Sequence, residues 1–420
     1  MICGIKEQVS YWGGDMIELR DNSLICTFPE ATLPGAKLTI SFKRTLRVPD
    51  NGKRYPLPSG LGKFPLEDVD DYRKAVPKNW IEHGGVMLPL YQSEALWIDF
   101  TSSYIDDHEA AYPFAVKVAV GKINAVTGEF WSDSLSRDPQ DYLVVPGQPW
   151  LDGYSIGTEC IRQFVAMPLG EGYSPEGQIT GGEGVGGVQI VVYPMKREAF
   201  EKRWPRKLLG IKEPPHRYGG SEPATRLSAH QDGESGPVIR ISLGQESESE
   251  PEIIFSEGQG GGPKAETRLF EYQDDGSESV TMLSIAKPDM GMAAGGRIGQ
   301  EIYEDPFDLS EWDMNSSSRC FVHLANSEVW HAITGNHPPA KAPTARVYSS
   351  HGLPWFKYYS DRKPLAGSNI LKKLKSVVQL VTEKGRGSLP ENDPVDPGEV
   401  VHIEEKQSPD QVREWSGRAE

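Results

Sequence analysis

The feature that most constrains the fold of this chain is a run of short segments in which apolar and polar residues alternate. Within residues 38–43, Thr39, Ser41 and Lys43 alternate with three apolar side chains. Alternation at period two is typical of a strand that turns one face to the core. Residues 24–28 alternate in the same way, and a Pro- and Gly-containing turn at 29–35 separates the two segments. This pattern predicts an antiparallel pair with one wet face.

Further short segments rich in β-branched or aromatic residues predict more strands. They lie at 85–90, 95–100, 114–120, 142–145, 161–167, 188–193, 280–285 and 319–325. No long helix separates them, and the 44 glycines and 33 prolines among 420 residues provide many turns. We therefore predict a mainly β fold, antiparallel and sandwich-like or barrel-like, and not a βαβ fold.

Helices are predicted to be few and short. Residues 66–80 predict one that ends at Pro77, residues 197–204 a second, and residues 327–333 a third that ends at Gly335. One C-terminal amphipathic helix is expected from Ser368 onward. Its apolar positions are 370, 371, 374, 377, 378 and 381. Residues 49–65, rich in Pro and Gly, are expected to form a loop.

Composition changes along the chain predict its organisation. We expect an N-terminal extension (1–15), a β-rich core (16–204), a polar acidic insertion (205–285), a second part of the core with the C-terminal helix (286–384), and a Pro- and acid-rich tail (385–420). Ten acids lie between Glu246 and Glu278. Two strand-like runs, 238–243 and 252–255, predict a hairpin inside the insertion.

Charge and hydropathy exclude several classes of protein. The net charge of −16 disfavours nucleic acid, since binding to phosphates relies on Lys and Arg. No signal peptide and no apolar run of ~20 residues is visible, so we expect a soluble cytoplasmic protein without a transmembrane span. The four cysteines lack close spacing, which predicts free thiols.

Several runs together resemble a family of uncharacterised microbial proteins that are often labelled "integral membrane protein". These runs are MIELRDN (16–22), GGVMLPLYQSEALW (84–97), GKINAVTGE (121–129), PQDYLVVPGQPWLDG (139–153), IRQFVAMPLG (161–170), RIGQEIYEDP (297–306) and GLPWFKYY (352–359). The resemblance covers roughly residues 16–205 and 285–380 and skips the insertion. It implies no activity, cofactor or catalytic residue.

Catalysis would require a site built from distant segments. The catalytic candidates are Glu94, Asp99, His323 and His331, since a carboxylate with two histidines is one way to build a hydrolytic centre. The histidines lack a metal-binding spacing, so we predict no metal and no cofactor. Other acids lie near aromatic residues in the sequence, as glycoside hydrolysis would require: Asp152, Glu301, Glu304 and Asp305.

Aromatic residues next to proline are the most distinctive local feature. Trp150 and Trp355 each follow a proline, and Trp97 lies in a predicted strand beside Asp99. Such residues either pin loops to the core or, when exposed, bind a ligand. Trp97, Trp150 and Trp355 are therefore the ligand-binding candidates.

Two classes of function stay open. The preferred one is a soluble, non-enzymatic binding or self-assembling structural protein that forms a homo-oligomer, with residues 388–420 docked on a neighbouring subunit. The alternative is a hydrolase, glycoside- or metal-dependent, with a site assembled from dispersed acids and histidines.

Overall fold

The computed structural model describes residues 16–207 apart from residue 185, and residues 289–385, 394–398 and 400–404. In chain order the strands are β1 (Met16–Arg20), β2 (Ser23–Thr27), β3 (Lys37–Thr45), β4 (Arg54–Tyr55), β5 (Leu57–Pro58), β6 (Gly60–Lys63), β7 (Glu67–Asp68), β8 (Val86–Leu90), β9 (Ala95–Ser102), β10 (Tyr104–Ile105), β11 (Ala110–Ala111), β12 (Phe114–Val120), β13 (Ile123–Asn124), β14 (Leu143–Val145), β15 (Trp150–Leu151), β16 (Gly153–Gly157), β17 (Cys160–Pro168), β18 (Val188–Pro194), β19 (Met290–Ile298), β20 (Ser318–Asn326), β21 (Trp355–Tyr359) and β22 (Val400–Glu404).

Helices in the described residues are short. They are α1 (Lys78–His83), α2 (Pro175–Thr180), α3 (Arg197–Arg203), α4 (Ser327–Thr334), α5 (Ala345–Ser350) and α6 (Val377–Glu383), with 3₁₀ turns at Val69–Tyr72, Asp106–His108, Leu309–Glu311 and Leu371–Lys373. The prediction of a mainly β chain with a few short helices is confirmed. No helix in the described part of the chain has the length and apolar character needed to cross a membrane.

Two large sheets form the body of the fold. The ten-stranded sheet has the order β1-β2-β3-β9-β17-β19-β4, and β6, β15 and β16 pair onto it beside this path. The seven-stranded sheet has the order β13-β12-β18-β20-β8-β7, with β14 paired to β12. Most pairs are antiparallel, as predicted; β4 with β19 and β8 with β20 are parallel.

One apolar core joins the two sheets. Ile40 and Ile98 of the ten-stranded sheet and Val118, Ile190 and Val322 of the seven-stranded sheet belong to the same buried cluster, each at most 1% exposed. Neither sheet closes into a barrel in the described residues. The sandwich-like form is therefore the one adopted. Two small sheets, β10-β11 and β22-β21-β5, lie outside these layers.

Strands from both sides of the predicted insertion pair within these sheets. β17 runs antiparallel to β19, and β18 runs antiparallel to β20. Apart from residues 205–207, the insertion at 205–285 lies outside the described residues, and so do its predicted hairpin and the predicted strand at 280–285. The first and second parts of the core are thus one folded unit.

Two local predictions in the first hundred residues need correction. Residues 49–65 contain the short strands β4, β5 and β6, because each finds a distant partner, namely β19, β21 and β3. Residues 66–80 form no helix that ends at Pro77: they hold the short strand β7 and the 3₁₀ turn Val69–Tyr72, and Pro77 directly precedes α1. Proline is well suited to the start of a helix, where its missing N–H is not needed.

The prediction of one continuous C-terminal amphipathic helix is wrong. Ser368 caps a short turn by accepting hydrogen bonds from the N–H groups of Ile370 and Leu371, both at 3.1 Å. The helix then breaks, because the backbone of Lys375 donates to Gln178 Oε1 at 2.8 Å and accepts from Gln178 Nε2 at 3.1 Å. Ser376 starts α6 anew with a capping box.

The tail contributes one strand to its own chain. β22 lies parallel to β21, with Trp355 opposite Val400 and Tyr359 opposite Glu404. Residues 400–404 thus already pair with a strand of their own chain. This pairing competes with the predicted docking of residues 388–420 on a neighbouring subunit.

Candidate functional site

The outer face of the ten-stranded sheet carries several of the predicted functional side chains, all of them partly buried. Along β9, Leu96, Ile98 and Phe100 are buried, so the alternation turns Trp97 and Asp99 to the other face. Cross-strand register sets Lys43 of β3 opposite Trp97.

The same register places a hydroxyl and a second indole beside Asp99. Ser41 of β3 is its partner on one side, and Trp150 of β15 is its partner on the other. The sheet thus brings two of the predicted ligand-binding residues and one predicted catalytic residue together.

Three aromatic rings form a corner on this face, which we call the aromatic corner: Trp97, Trp150 and Tyr358. The Trp97 and Trp150 ring centroids are 6.2 Å apart with the planes at 79°, and those of Trp150 and Tyr358 are 4.9 Å apart at 68°. Gly60 makes room for the Trp97 ring, since a Cβ there would lie 3.3 Å from its Cζ2. All three residues are half-buried.

Beside the aromatic corner lies a polar cluster formed by Ser23, Ser41, Lys43, Lys63 and Asp99. Lys63 Nζ donates to Ser23 Oγ at 3.0 Å, and the Ser23 and Ser41 hydroxyls are 3.0 Å apart. Lys43 Nζ lies 4.0 Å from Asp99 Oδ2. Burial raises the pKa of Asp99 to about 6, against the opposing effect of the two lysines.

This chemistry favours binding over covalent catalysis. The Ser23 and Ser41 hydroxyls belong to side chains that are each 2% exposed, so a substrate carbonyl has no approach to them. Asp99 and the lysines, by contrast, offer acceptors and donors next to aromatic rings, the combination that holds hydroxyl-rich ligands in place.

Glu94 does not join Asp99. Its carboxylate is buried and paired with Arg44, whose Nε and Nη2 donate to Oε1 at 3.0 and 2.8 Å, while Oε2 accepts from the N–H of Tyr91 at 3.0 Å. Arg44 lies opposite Leu96, on the core-facing side of the sheet. Five positions of extended chain also separate Glu94 from Asp99 by roughly 16 Å, more than the ~5–9.5 Å of paired glycosidase carboxylates.

The predicted histidines lie elsewhere. His323, on β20 of the seven-stranded sheet, is 2% exposed, stacks on Trp80 at 4.8 Å and has Nε2 2.9 Å from the Gly84 carbonyl oxygen. Burial lowers its pKa to about 4, so the ring is neutral at pH 7. His331 is exposed on α4 and stacks against His337 at 4.6 Å. Neither histidine meets Glu94 or Asp99.

Trp355 belongs to the core and does not reach the candidate ligand surface. It is fully buried and packs against Tyr55 at 6.0 Å and Tyr348 at 5.4 Å. Among the three predicted tryptophans, only Trp97 and Trp150 are therefore placed to touch a ligand.

The remaining predicted acids also serve the scaffold or stay at the surface. Asp305 accepts from Tyr142 Oη at 2.5 Å and from Trp312 Nε1 at 2.8 Å, which anchors two loops. Glu304 pairs with Lys363 at 2.8 Å. Across the described residues, no group of three or more His, Cys, Asp or Glu side chains is arranged to hold a metal ion.

Sequence reasoning missed Tyr358, Lys43 and Lys63 as members of this surface. The alternation around residues 38–43 already turned Lys43 to the wet face, which is a usable signal. Tyr358 and Lys63 come from strands whose partners are distant in sequence, and no local pattern points to them.

A scan against protein-family models finds no match, and searches of curated proteins and of solved structures find none either. The resemblance to uncharacterised microbial proteins stays a prediction. The site itself therefore provides the only basis for a functional proposal.

Proposed function

We propose that this chain is a non-enzymatic binding protein whose ligand surface is the aromatic corner with the polar cluster beside it. The single observation that supports the proposal is the cross-strand placement of Trp97, Trp150, Asp99 and Lys43 on one partly buried face, where the Lys43 and Asp99 side chains keep 12% and 14% of their surface exposed. Indole rings stack on the apolar faces of sugar rings, while a carboxylate and an ammonium group form hydrogen bonds with the sugar hydroxyl groups. An oligosaccharide is therefore the ligand class that fits best.

Direct binding measurements test this proposal. The purified protein is run in affinity gels that contain soluble polysaccharides of differing linkage, and a positive partner is titrated by calorimetry. Trp97→Ala and Trp150→Ala are each expected to weaken binding by roughly thirtyfold, as for a buried aromatic hot spot of ~2 kcal/mol.

A matched control comes from the other sheet. Phe130 is 58% exposed and bridges to Ile123 of β13, so Phe130→Ala removes an exposed aromatic ring that is not part of the surface. Binding should stay unchanged in this variant. Equal affinity in all three variants, or retention by no polysaccharide, would refute the assignment of this surface.

The hydrolase alternative has one observation in its favour. Asp99 has a raised pKa of about 6 and lies between two tryptophans, the environment of a general acid. Its test is product release from any polysaccharide that binds. Activity that disappears in Asp99→Asn while binding persists would replace the binding proposal by a catalytic one.

Self-assembly and a cytoplasmic location complete the proposal. β22 has only β21 as a strand partner among the described residues, and Tyr359 (58% exposed) and Val401 (38%) lie on this small sheet. An open strand edge with apolar side chains is a place where a second copy can pair. Cys26, Cys160 and Cys320 are free thiols, which suits a reducing compartment.

Light scattering tests the assembly. The unaltered chain should have a molar mass greater than that of one protomer, and the Val401→Lys variant should have the molar mass of a single protomer. A single protomer mass for the unaltered chain at all concentrations would remove self-assembly from the proposal.

A further inference from the structure

A concave site lies between α2 and the 3₁₀ turn and helix near the C-terminal end of the core, and it shares no lining residue with the aromatic corner. It is a half-open groove of about 480 Å³ between α2 and residues 370–380. Its lining includes Gln178, Ile179, Ile370, Lys373, Leu374 and Leu380. A volume in the range ~300–1,000 Å³ is typical of pockets that take small molecules.

The walls of this groove are held in place by side-chain caps. The side-chain amide of Gln178 binds both the N–H and the carbonyl oxygen of Lys375, so the two walls are joined. Ser174 caps α2 and Ser376 caps α6 through hydrogen bonds to backbone N–H groups. A groove fixed in this way is formed before any ligand arrives, which lowers the entropy cost of binding.

Apolar surface and positive charge meet at this groove. Ile179 and Ile370 are each 39% exposed, which is unusual for isoleucine, while Leu374 and Leu380 form a buried floor. Lys373 at the rim is exposed. Lys375 is already paired with Glu383 at 2.7 Å, whereas Lys373 forms no salt bridge with any acid in the described residues.

The local charge contrasts with that of the whole chain. Residues 370–384 carry Lys372, Lys373, Lys375 and Lys384 against Glu383, whereas the chain has a net charge of −16. An apolar groove with a basic rim in an acidic protein is complementary to a ligand with an apolar chain and one negative head group.

From this complementarity we propose that the groove binds a single-chain anionic amphiphile, of the class of long-chain fatty carboxylates. The hydrocarbon chain covers Ile179, Ile370 and Leu380, which removes apolar surface from water. The carboxylate lies against the ammonium group of Lys373. This inference is independent of the function proposed for the aromatic corner.

Fluorescence of cis-parinaric acid tests the proposal, because its emission rises when it leaves water for an apolar site. The full chain should saturate at one probe per protomer, and unlabelled palmitate should displace the probe. Hexadecanol, which has the same chain without the charge, should compete at least tenfold less well than palmitate.

Two adjacent lysines provide matched variants. Lys373→Glu places a like charge at the rim and should raise the Kd for the probe at least tenfold. Lys372→Glu makes the same change at an exposed neighbour that does not line the groove, and its Kd should stay within about threefold of the unaltered chain. Ile179→Asp should also raise the Kd at least tenfold, through the apolar wall.

Several results would overturn the proposal. They are no saturable binding, equal effects of Lys373→Glu and Lys372→Glu, or equal competition by palmitate and hexadecanol. Circular dichroism of each variant shows whether the fold is retained, and Ile179→Asp at an exposed position provides the second, fold-preserving variant if Lys373→Glu is unstable.

Discussion

Asp152 is a carboxyl group buried at the junction of β15 and β16, and its replacement by Asn should change how stability depends on pH. Asp152 is 3% exposed, and Gln300 Nε2 donates to its Oδ2 at 3.0 Å. Gln300 Oε1 in turn accepts from the N–H of Asp152 at 3.1 Å. Burial raises the pKa of Asp152 from 3.8 to about 7.

The size of the effect follows from this raised pKa. The folded protein keeps a proton on Asp152 up to about pH 7, whereas the unfolded chain releases it near pH 4. The contribution of protonated Asp152 to the free energy of unfolding is therefore fully present below pH 4 and is lost as the pH rises to 7. The full loss is about 4 kcal/mol, of which roughly 2–3 kcal/mol falls between pH 5 and pH 8.

Urea unfolding followed by tryptophan fluorescence measures this loss. Asp152→Asn cannot titrate, so its stability relative to the unaltered chain should rise by roughly 2–3 kcal/mol from pH 5 to pH 8. Comparing the two proteins at each pH cancels the titration of all other groups. Glu159→Gln, at a carboxylate whose side chain is 61% exposed, is the control and should show little change.

The reasoning would be refuted by a difference between Asp152→Asn and the unaltered chain that is the same at pH 5 and pH 8. That result would mean that the Asp152 carboxyl titrates alike in the folded and unfolded chains. A pH-independent difference in the free energy of unfolding is expected on top of the pH-dependent one, because the new amide N–H₂ group needs an acceptor and a carboxylate does not.

Three other predictions concern the scaffold. Since burial lowers the pKa of His323 to about 4, stability from its neutral ring is lost as pH falls from 6.5 to 4; in urea unfolding, His323→Gln should remove roughly 3 kcal/mol of this dependence, and an unchanged pH profile would contradict it. A Cβ at Gly153 would overlap the carbonyl oxygen of Arg162 on β17, so Gly153→Ala should cost about 3 kcal/mol, read as a lowered Tm; an unchanged Tm would show that the strands separate freely. Arg44→Met leaves Glu94 buried without its cation and should cost about 3 kcal/mol at pH 7; the double variant with Glu94→Gln should recover most of it, and no recovery would argue against the pair.

Strand positions were predicted well where the pattern of the chain is strong. The predicted segment 114–120 is β12 as observed, and 161–167 and 188–193 lie within β17 and β18. Each of these strands is mainly apolar and almost wholly buried, so local preference and burial favour the same structure. The short strands β4 and β5 were missed, because two residues carry no periodic pattern.

The C-terminal helix shows how a tertiary contact overrides a local pattern. The apolar spacing from residue 370 to 381 is helical, and Leu371, Leu374, Val377 and Val381 are buried, whereas Ile370 is exposed. Gln178, almost two hundred positions earlier, takes the backbone hydrogen bonds of Lys375 that a continuous helix would need. A backbone group satisfied by a distant side chain cannot be foreseen from the local sequence.

The amino-acid sequence by itself determined that this chain is mainly β and which faces of its strands are wet, because alternation at period two depends only on neighbouring residues. That rule already placed Lys43 on a wet face. Only the tertiary structure decided that Trp97 and Trp150 meet at Asp99, that Trp355 is buried, and that His323 lies in another sheet. These outcomes depend on strand order and register, which bring together segments far apart in the chain. The strands are joined by backbone hydrogen bonds, and the backbone groups are the same whatever the side chains.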